Sequence, residues 1–414
     1  MLNLPSARSA TGYFYQFLGA HSLLIGLLPF FLPVYLWQKG LDLAGLSLLV
    51  GVSGLSFAAA LSLWQRMARR WPMKHLISLT FALEFLLIAS VGLLTEVPGA
   101  ALFTPPDGTL SVTTAQLCFA ALVIGMANGF YNAFFWTSQR TLFLRQLGSN
   151  DTGRQYGNFQ IFVTLILKIG ILLGGTLLET GGLIWLLALS AGISLASSRH
   201  LATQPPGQQP IVDPETLAKP VTILRSLAHK DGQGSRAVFL SDGIFLYLES
   251  HFWTLTLFLM VREDFSRLGI AVVVLALVFA ALFYLVKNRI DQLDIARVYR
   301  AAVWLYLASW LLRFTLNTES EGASLWIALI FITFFSSFFR LAFNKRFFDV
   351  ARTNGSMQYL LIKSYLSQIF LGLTFLILGA ALLVIPIPHD LALQYLYVPA
   401  GLLSLIYLRY SDKD

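Results

Sequence analysis

Charge is what this 414-residue chain has least of: 12% of its residues are Asp, Glu, Lys or Arg, where a soluble domain carries about 25%. That scarcity excludes an ordinary water-facing surface. Cysteine is scarcer still. Cys118 stands alone in an apolar run, so no disulfide framework is possible. The six histidines, from His21 to His389, include no pair at metal-ligand spacing. No metal and no cofactor is therefore expected. No glycine-rich Walker A pattern is present, so ATP is not expected to provide the drive. No Ser-His-Asp arrangement is visible, which counts against a membrane-embedded transferase. The lack of a soluble sensor or output domain counts against a receptor. A cleavable signal peptide is not expected either. The first apolar segment starts nearly uncharged and is too long for such a signal, so it reads as a retained first span.

What the chain has is apolar length. Apolar residues make up 56% of it, with 33 Phe. A bilayer span needs about 20 such residues, and twelve runs qualify: Gly12–Trp37, Leu43–Trp64, Met73–Thr95, Ala115–Phe143, Gly157–Leu178, Gly182–Ser198, Arg236–Met260, Ser266–Val286, Ile295–Leu316, Ala323–Phe347, Met357–Val384 and Leu391–Leu408. The runs are continuous rather than alternating, and lipid leaves helices as their form. Pro29 and Pro33 predict a kink in the first. The fold expected is an all-α polytopic membrane protein of two six-helix halves, 1–198 and 236–414. Between them lies a polar linker, 199–235, with TQPPGQQP and HKDGQGS. That linker carries a short amphipathic helix over Val221–Ala228.

The net charge of +8 would suit nucleic acid, but its distribution does not. With the N-terminus in the cytoplasm and spans alternating, one set of loops sums to +14 and the other to −6. That is the positive-inside signature. Both termini are expected in the cytoplasm, the lipid bilayer is the partner, and nucleic-acid binding is not expected. Short loops and the lack of an organellar targeting segment favour a bacterial inner membrane.

The chain also echoes itself. The stretch Gly125–Gln160 has a weaker copy at Thr333–Ser364. One offset of 204 places Phe134-Phe135 on Phe338-Phe339, Phe143 on Phe347 and Asn150 on Asn354. After a one-residue gap, Gln155-Tyr156 falls on Gln358-Tyr359. Repeats in membrane-like sequence point to two similar halves with a site between them.

Between the second and third spans the chain reads Leu61-Ser62-Leu63-Trp64-Gln65-Arg66-Met67-Ala68-Arg69-Arg70. This resembles the major facilitator superfamily motif G-x-L-A-D-R-x-G-R-R, matching at Leu63, Arg66, Arg69 and Arg70. Leu61 and Ala68 replace the glycines and Gln65 the acidic residue. The six-plus-six architecture resembles the same superfamily over the whole chain. The resemblance implies a gating role for Arg66, Arg69 and Arg70; the alternative is a positive-inside loop whose arginines set topology without gating. Gln65 puts the family's charge relay in doubt. A Gly-rich motif with Pro in the fifth span marks the family's antiporters. Here that span has Gly170-Ile171-Leu172-Leu173-Gly174-Gly175 without Pro. Gly170 with Gly174, and Gly125 with Gly129, fit helix packing through small residues.

Six charges fall within spans: Glu84, Lys168, Asp242, Glu249, Arg313 and Lys363, with Arg340 reaching inward from its loop. Each costs several kcal/mol unless paired or wet, so a polar interior is expected. Asp242 and Glu249 stand two turns apart on one face, about 10 Å. Glu84, Asp242 and Glu249 are candidates for a coupling proton, or else static partners of Lys168, Arg340 and Lys363. His251 lies roughly 200° round the helix from Glu249 and is expected to pack elsewhere. Asn128, Asn132 and Trp136 at i, i+4 and i+8 suit a cavity wall, as do Ser336, Arg340 and Asn344. Tyr13, Gln16 and His21 add polar contacts. Under the repeat, Arg340 is the counterpart of Trp136 and Lys363 of Gln160, so the second half supplies the positive charge. Lys168, Arg340 and Lys363 suit an anionic or zwitterionic solute, while Arg313 is expected to snorkel outward. The expectation is a monomeric secondary transporter of a small solute, with a coupling proton or Na⁺. Export of a drug, metabolite or metallophore by antiport is the alternative.

Overall fold

A computed structural model describes residues 10–96, 114–146, 152–204, 220–290, 294–316, 320, 322–353, 355–385 and 387–410. Among the described residues every regular element is helical. The GSNDTG turn and the TQPPGQQP stretch fall mainly outside them, as do Asn150, Asn354 and the side chain of Gln160.

The first span is broken where its prolines stand. Helix α1 (Ala10–Leu27) gives way to a turn, and α2 (Leu32–Gln38) restarts with Pro33 in its first turn, where a missing N–H costs nothing. Asp42 caps α3 (Leu43–Ala68) by accepting from Gly45 N at 2.7 Å. Then follow α4 (Met73–Glu96), α5 (Thr114–Gln146), α6 (Thr152–Thr180) and α7 (Gly182–Ala202). The linker forms a one-turn helix, α8 (Ile223–Leu227), inside the expected segment. The seventh span is α9 (Ser235–Tyr247), a π turn (Leu248–Phe252) and α10 (Trp253–Met260). The chain continues through α11 (Phe265–Ile290), α12 (Ile295–Thr315), α13 (Gly322–Thr353), α14 (Ser356–Val384) and α15 (His389–Ser404), and ends in a 3₁₀ segment (Leu405–Tyr410).

Eleven of these stretches are long and apolar enough to cross a bilayer. The twelfth expected span, α12, has the length but carries Arg297, Arg300 and Arg313. Asp294 caps it, accepting from Ala296 N at 2.6 Å and Arg297 N at 3.1 Å. Those backbone donors hold the Asp294 carboxyl below its ordinary pKa. Helix α13 runs six residues past its expected end, Phe347, because a helix can leave the membrane without stopping; Lys345 and Asp349 pair at 3.2 Å across its next turn.

The repeat is visible in helix length. The fourth spans, α5 and α13, have 33 and 32 residues, and the fifth, α6 and α14, have 29 each. It is visible in packing too. In each half the third span packs on the fourth and sixth, and the first packs on the fifth. Across the halves the second span of one lies on the fifth of the other: α3 on α14, and α6 on α11.

Glycines make these approaches. A Cβ on Gly129 would stand 2.4 Å from Ser53 O of α3, and one on Gly170 would stand 2.3 Å from Leu23 O of α1. The small-residue spacings thus do serve helix packing within a half. Gly54 does the same between halves, where a Cβ would come 2.7 Å from Gln368 O.

The halves touch at both membrane faces. On the face of the acidic loops, Gln38 Nε2 donates to Glu263 O (3.2 Å), and Phe265 N donates to Glu179 Oε2 (3.2 Å). Phe31 and Tyr35 pack on the Phe265 ring there. On the face of the basic loops, Tyr365 meets Ser62 at 2.7 Å and Gln65 at 2.8 Å, and Phe143 meets Phe348 with ring centres 5.1 Å apart.

Candidate functional site

Each half buries a polar cluster on its first, third and fourth spans, which in the C-terminal half takes in residues of the fifth and sixth as well. In the N-terminal half these are His21 of α1, Glu84 of α4 and Tyr131 of α5. All three are sealed from solvent. His21 Nδ1 lies 3.0 Å from Glu84 Oε2, and Tyr131 donates to Glu84 Oε1 at 3.3 Å. Phe81 stacks on the imidazole at 4.0 Å and Phe135 tilts against it at 4.6 Å. Glu84 therefore faces a titratable partner, and none of Lys168, Arg340 or Lys363 reaches it among the described contacts. His21 is a core group of this cluster, beyond the polar contact expected of it.

In the C-terminal half the groups form a column. Lys363 of α14 pairs with Asp242 Oδ2 at 2.9 Å. Arg340 of α13 donates through Nη1 to Asp242 Oδ1 (2.9 Å), through Nε to Glu249 Oε2 (3.1 Å) and through Nη2 to the Tyr306 hydroxyl (3.2 Å). Tyr407 donates to Asp242 Oδ1 at 2.7 Å. The alternating signs satisfy the carboxylates in a place where an isolated charge would be costly. Phe343 and Phe347 present their faces to Lys363 at 4.9 and 4.5 Å, adding cation–π attraction. Lys363 and Arg340 are thus engaged with the protein's own acids.

Beyond Glu249 the column ends in Arg313, where the structure overturns the snorkelling expectation. Arg313 is 2% exposed. It lies between the rings of Trp253 (4.9 Å) and Trp310 (4.3 Å), and donates to Ser309 (3.0 Å) and Ser336 (2.9 Å). The two indoles offer the guanidinium more than the membrane interface would. The π turn sets this register: one extra residue per turn turns Trp253 toward Arg313 while Glu249 still meets Arg340. His251 is buried beside Tyr247, ring centres 4.9 Å apart, away from the ion pairs.

Opposite the column, α5 carries an amide ladder. Trp136 Nε1 donates to Asn132 Oδ1 (2.9 Å), Asn132 Nδ2 to Asn128 Oδ1 (2.8 Å), and Asn128 Nδ2 to Ser53 Oγ (2.9 Å). Ser53 then meets the Tyr247 hydroxyl of α9 at 3.4 Å, which carries the chain of bonds across to the other half. Ser336 serves Arg313 rather than Arg340. Lys168 is half-buried on α6, and no described hydrogen bond or ion pair engages it. Its face also bears Ile171 and Gly175, which approach Gly269 and Phe265 of α11.

Of the arginines near the motif, Arg66 and Arg70 are exposed, and Arg69 folds back on Gln65 O at 3.2 Å. Gln65 makes the long-range contacts instead. Its Oε1 accepts from Val221 N (3.0 Å), and its Nε2 donates to Val221 O (3.1 Å) and Tyr365 Oη (2.8 Å). Sequence reasoning weighed formal charge, so it passed over this neutral amide and the tyrosines at 131, 306, 365 and 407.

No family model matches the sequence, and no curated protein matches it by sequence. Solved structures do match. The nucleoside transporter NupG superposes with a TM-score of 0.63 at 13% identity, over 97% of this chain and 99% of its own. The xylose transporter XylE from E. coli, in a partially occluded inward open conformation, gives 0.62 at 13% identity over 96% and 95%. A bacterial homologue of the iron transporter ferroportin, outward-facing with soaked iron, gives 0.60 at 14% over 98% and 99%. The chain shares the fold of these transporters, that of the major facilitator superfamily.

Proposed function

We propose that this chain is a secondary transporter that moves a small anionic or zwitterionic organic solute by alternating access. The rocking bodies are residues 1–198 and 236–414, joined by the linker 199–235, and both termini lie in the cytoplasm of a bacterial inner membrane. One observation carries this reading: one half buries an ion column, the other an amide-aromatic ladder that reaches Tyr247 on the column's own first helix, and the halves touch at both faces. The nucleoside, xylose and iron transporters that share the fold support transport as the activity. Fold alone does not carry the solute across to this chain.

The solute is held between Asn128, Asn132 and Trp136 on one side and Arg340 and Lys363 on the other, with Lys168 at the edge. Its negative group draws a cation away from Asp242 or Glu249 and so couples binding to rearrangement. Glu84 with His21 is the proton site, remote from those pairs, while Asp242 and Glu249 act mainly as counter-charges. Arg66, Arg69 and Arg70 secure the basic face.

Counterflow in proteoliposomes, screened with radiolabelled monocarboxylates, amino acids and nucleosides, tests transport itself. A ΔpH-driven uptake assay tests coupling. Glu84→Gln is expected to abolish the pH-driven component and leave counterflow running. Retention of pH drive in that variant would remove Glu84 from the coupling path.

A further inference from the structure

Arg313 is the buried cation that the ion column leaves unbalanced. In the described interior of the C-terminal half, Arg313, Arg340 and Lys363 stand against Asp242 and Glu249. Both oxygens of Asp242 are taken, by Arg340 and Tyr407 on one side and by Lys363 on the other. Glu249 gives Oε2 to Arg340, its buried Oε1 has no described hydrogen-bond partner, and it acts on Arg313 only through space, so it supplies one of the two negative charges already counted but no bond to Arg313. The Arg313 faces are covered by Trp253 and Trp310, and each of its two Nη groups makes one bond to a serine.

Two N–H donors are left over at this point. Arg313 Nε and Trp310 Nε1 are both buried and both without an acceptor, and the guanidinium carbon lies 4.3 Å from the centre of the Trp310 ring. Buried donors are rarely left in this state, and a buried charge without a counter-charge is costly. Both deficits call for one thing, an acceptor with a negative charge. A water would satisfy the donors and leave the charge. A doubly charged anion would overshoot the balance by one.

We propose that Arg313, with Trp253 and Trp310, forms a binding site for one compact monovalent anion: a carboxylate group or a halide. The site stands whether or not the protein transports. If the transport reading holds, the carboxylate belongs to the solute, and Arg313 selects for it beside Arg340 and Lys363.

The test is an anion titration on the purified full chain in detergent at constant ionic strength. Sodium acetate or sodium chloride replaces sodium methanesulfonate, with intrinsic tryptophan fluorescence and thermal midpoint as readouts. A saturable change with acetate alone identifies a carboxylate site, and one with chloride alone identifies a resident halide. Either result supports the proposal; no saturable change with either anion overturns it. Arg313→Gln is expected to abolish the response. Trp310→Phe keeps a ring over the guanidinium and removes one donor, so it is expected to weaken affinity about tenfold. Unchanged affinity in Trp310→Phe overturns the site even if Arg313→Gln fails to fold. Saturable binding without counterflow removes only the transport reading. Counterflow of a carboxylate with unaltered KM in Arg313→Lys and Trp310→Phe removes only this site.

Discussion

Arg340 makes three separate bonds, to Asp242, Glu249 and Tyr306, so its loss strips Glu249 of its ion-pair partner and leaves Asp242 with Lys363 and Tyr407 alone. Breaking a buried pair from one side costs about 3–5 kcal/mol. Arg340→Ala is therefore expected to lower the thermal midpoint of the purified protein markedly. The double variant Asp242→Asn/Lys363→Met removes opposite charges together and is expected to be milder than Asp242→Asn alone. A double-mutant cycle in thermal unfolding measures the difference. At this scale the sequence located the intramembrane charges but not their pairing. Charge is legible as letters, while a 2.9 Å contact between α9 and α14 depends on how two distant helices rotate. Of the two readings open for Asp242 and Glu249, the structure shows them paired with Arg340 and Lys363, and the column's cation without a described ion pair is Arg313.

Helices were the most legible elements, because lipid permits little else and a run of about 20 apolar residues declares itself. The proline break in the first span and the linker helix were legible for similar local reasons. The π turn at Leu248–Phe252 was not. It comes from packing around Glu249 and Trp253 and leaves no periodic trace in an apolar run. Deleting Ser250 is expected to restore a plain α-helix and swing Trp253 off Arg313 by about 100°. The resulting loss of tryptophan–guanidinium contact is measurable as a red-shifted emission. Close backbone approach offers a second prediction. Ala at Gly129 would press on Ser53 O within one half, and overpacking of this kind costs about 1–3 kcal/mol. Gly54→Ala acts on the seam between halves. It is expected to slow exchange between conformations more than it lowers stability, seen as reduced counterflow at a nearly unchanged thermal midpoint.

Across the whole molecule, the repeat found at one offset proved to be an architectural rule. Matching helix lengths, matching packing partners and a buried cluster on the first, third and fourth spans of each half all follow it. The two copies have diverged in chemistry. One holds a His–Glu pair inside a phenylalanine shell, and the other a five-membered ion column.

Gln65 joins more distant parts than any charged residue near the motif, tying the second span to Tyr365 of the eleventh and to Val221 of the linker. Its grip on Val221 is two-sided, like a rung between neighbouring strands. If the halves part on the basic face, Gln65 and Tyr365 separate and the rung loses its backing. The segment from Val221 to Leu227, exposed at every position but Val221 and Ser226, would then lose its anchor. Arg225 lies within it, so trypsin becomes a clock for the opening of that face: cleavage there is expected to run faster in Gln65→Ala, and to slow whenever a bound solute holds the face shut.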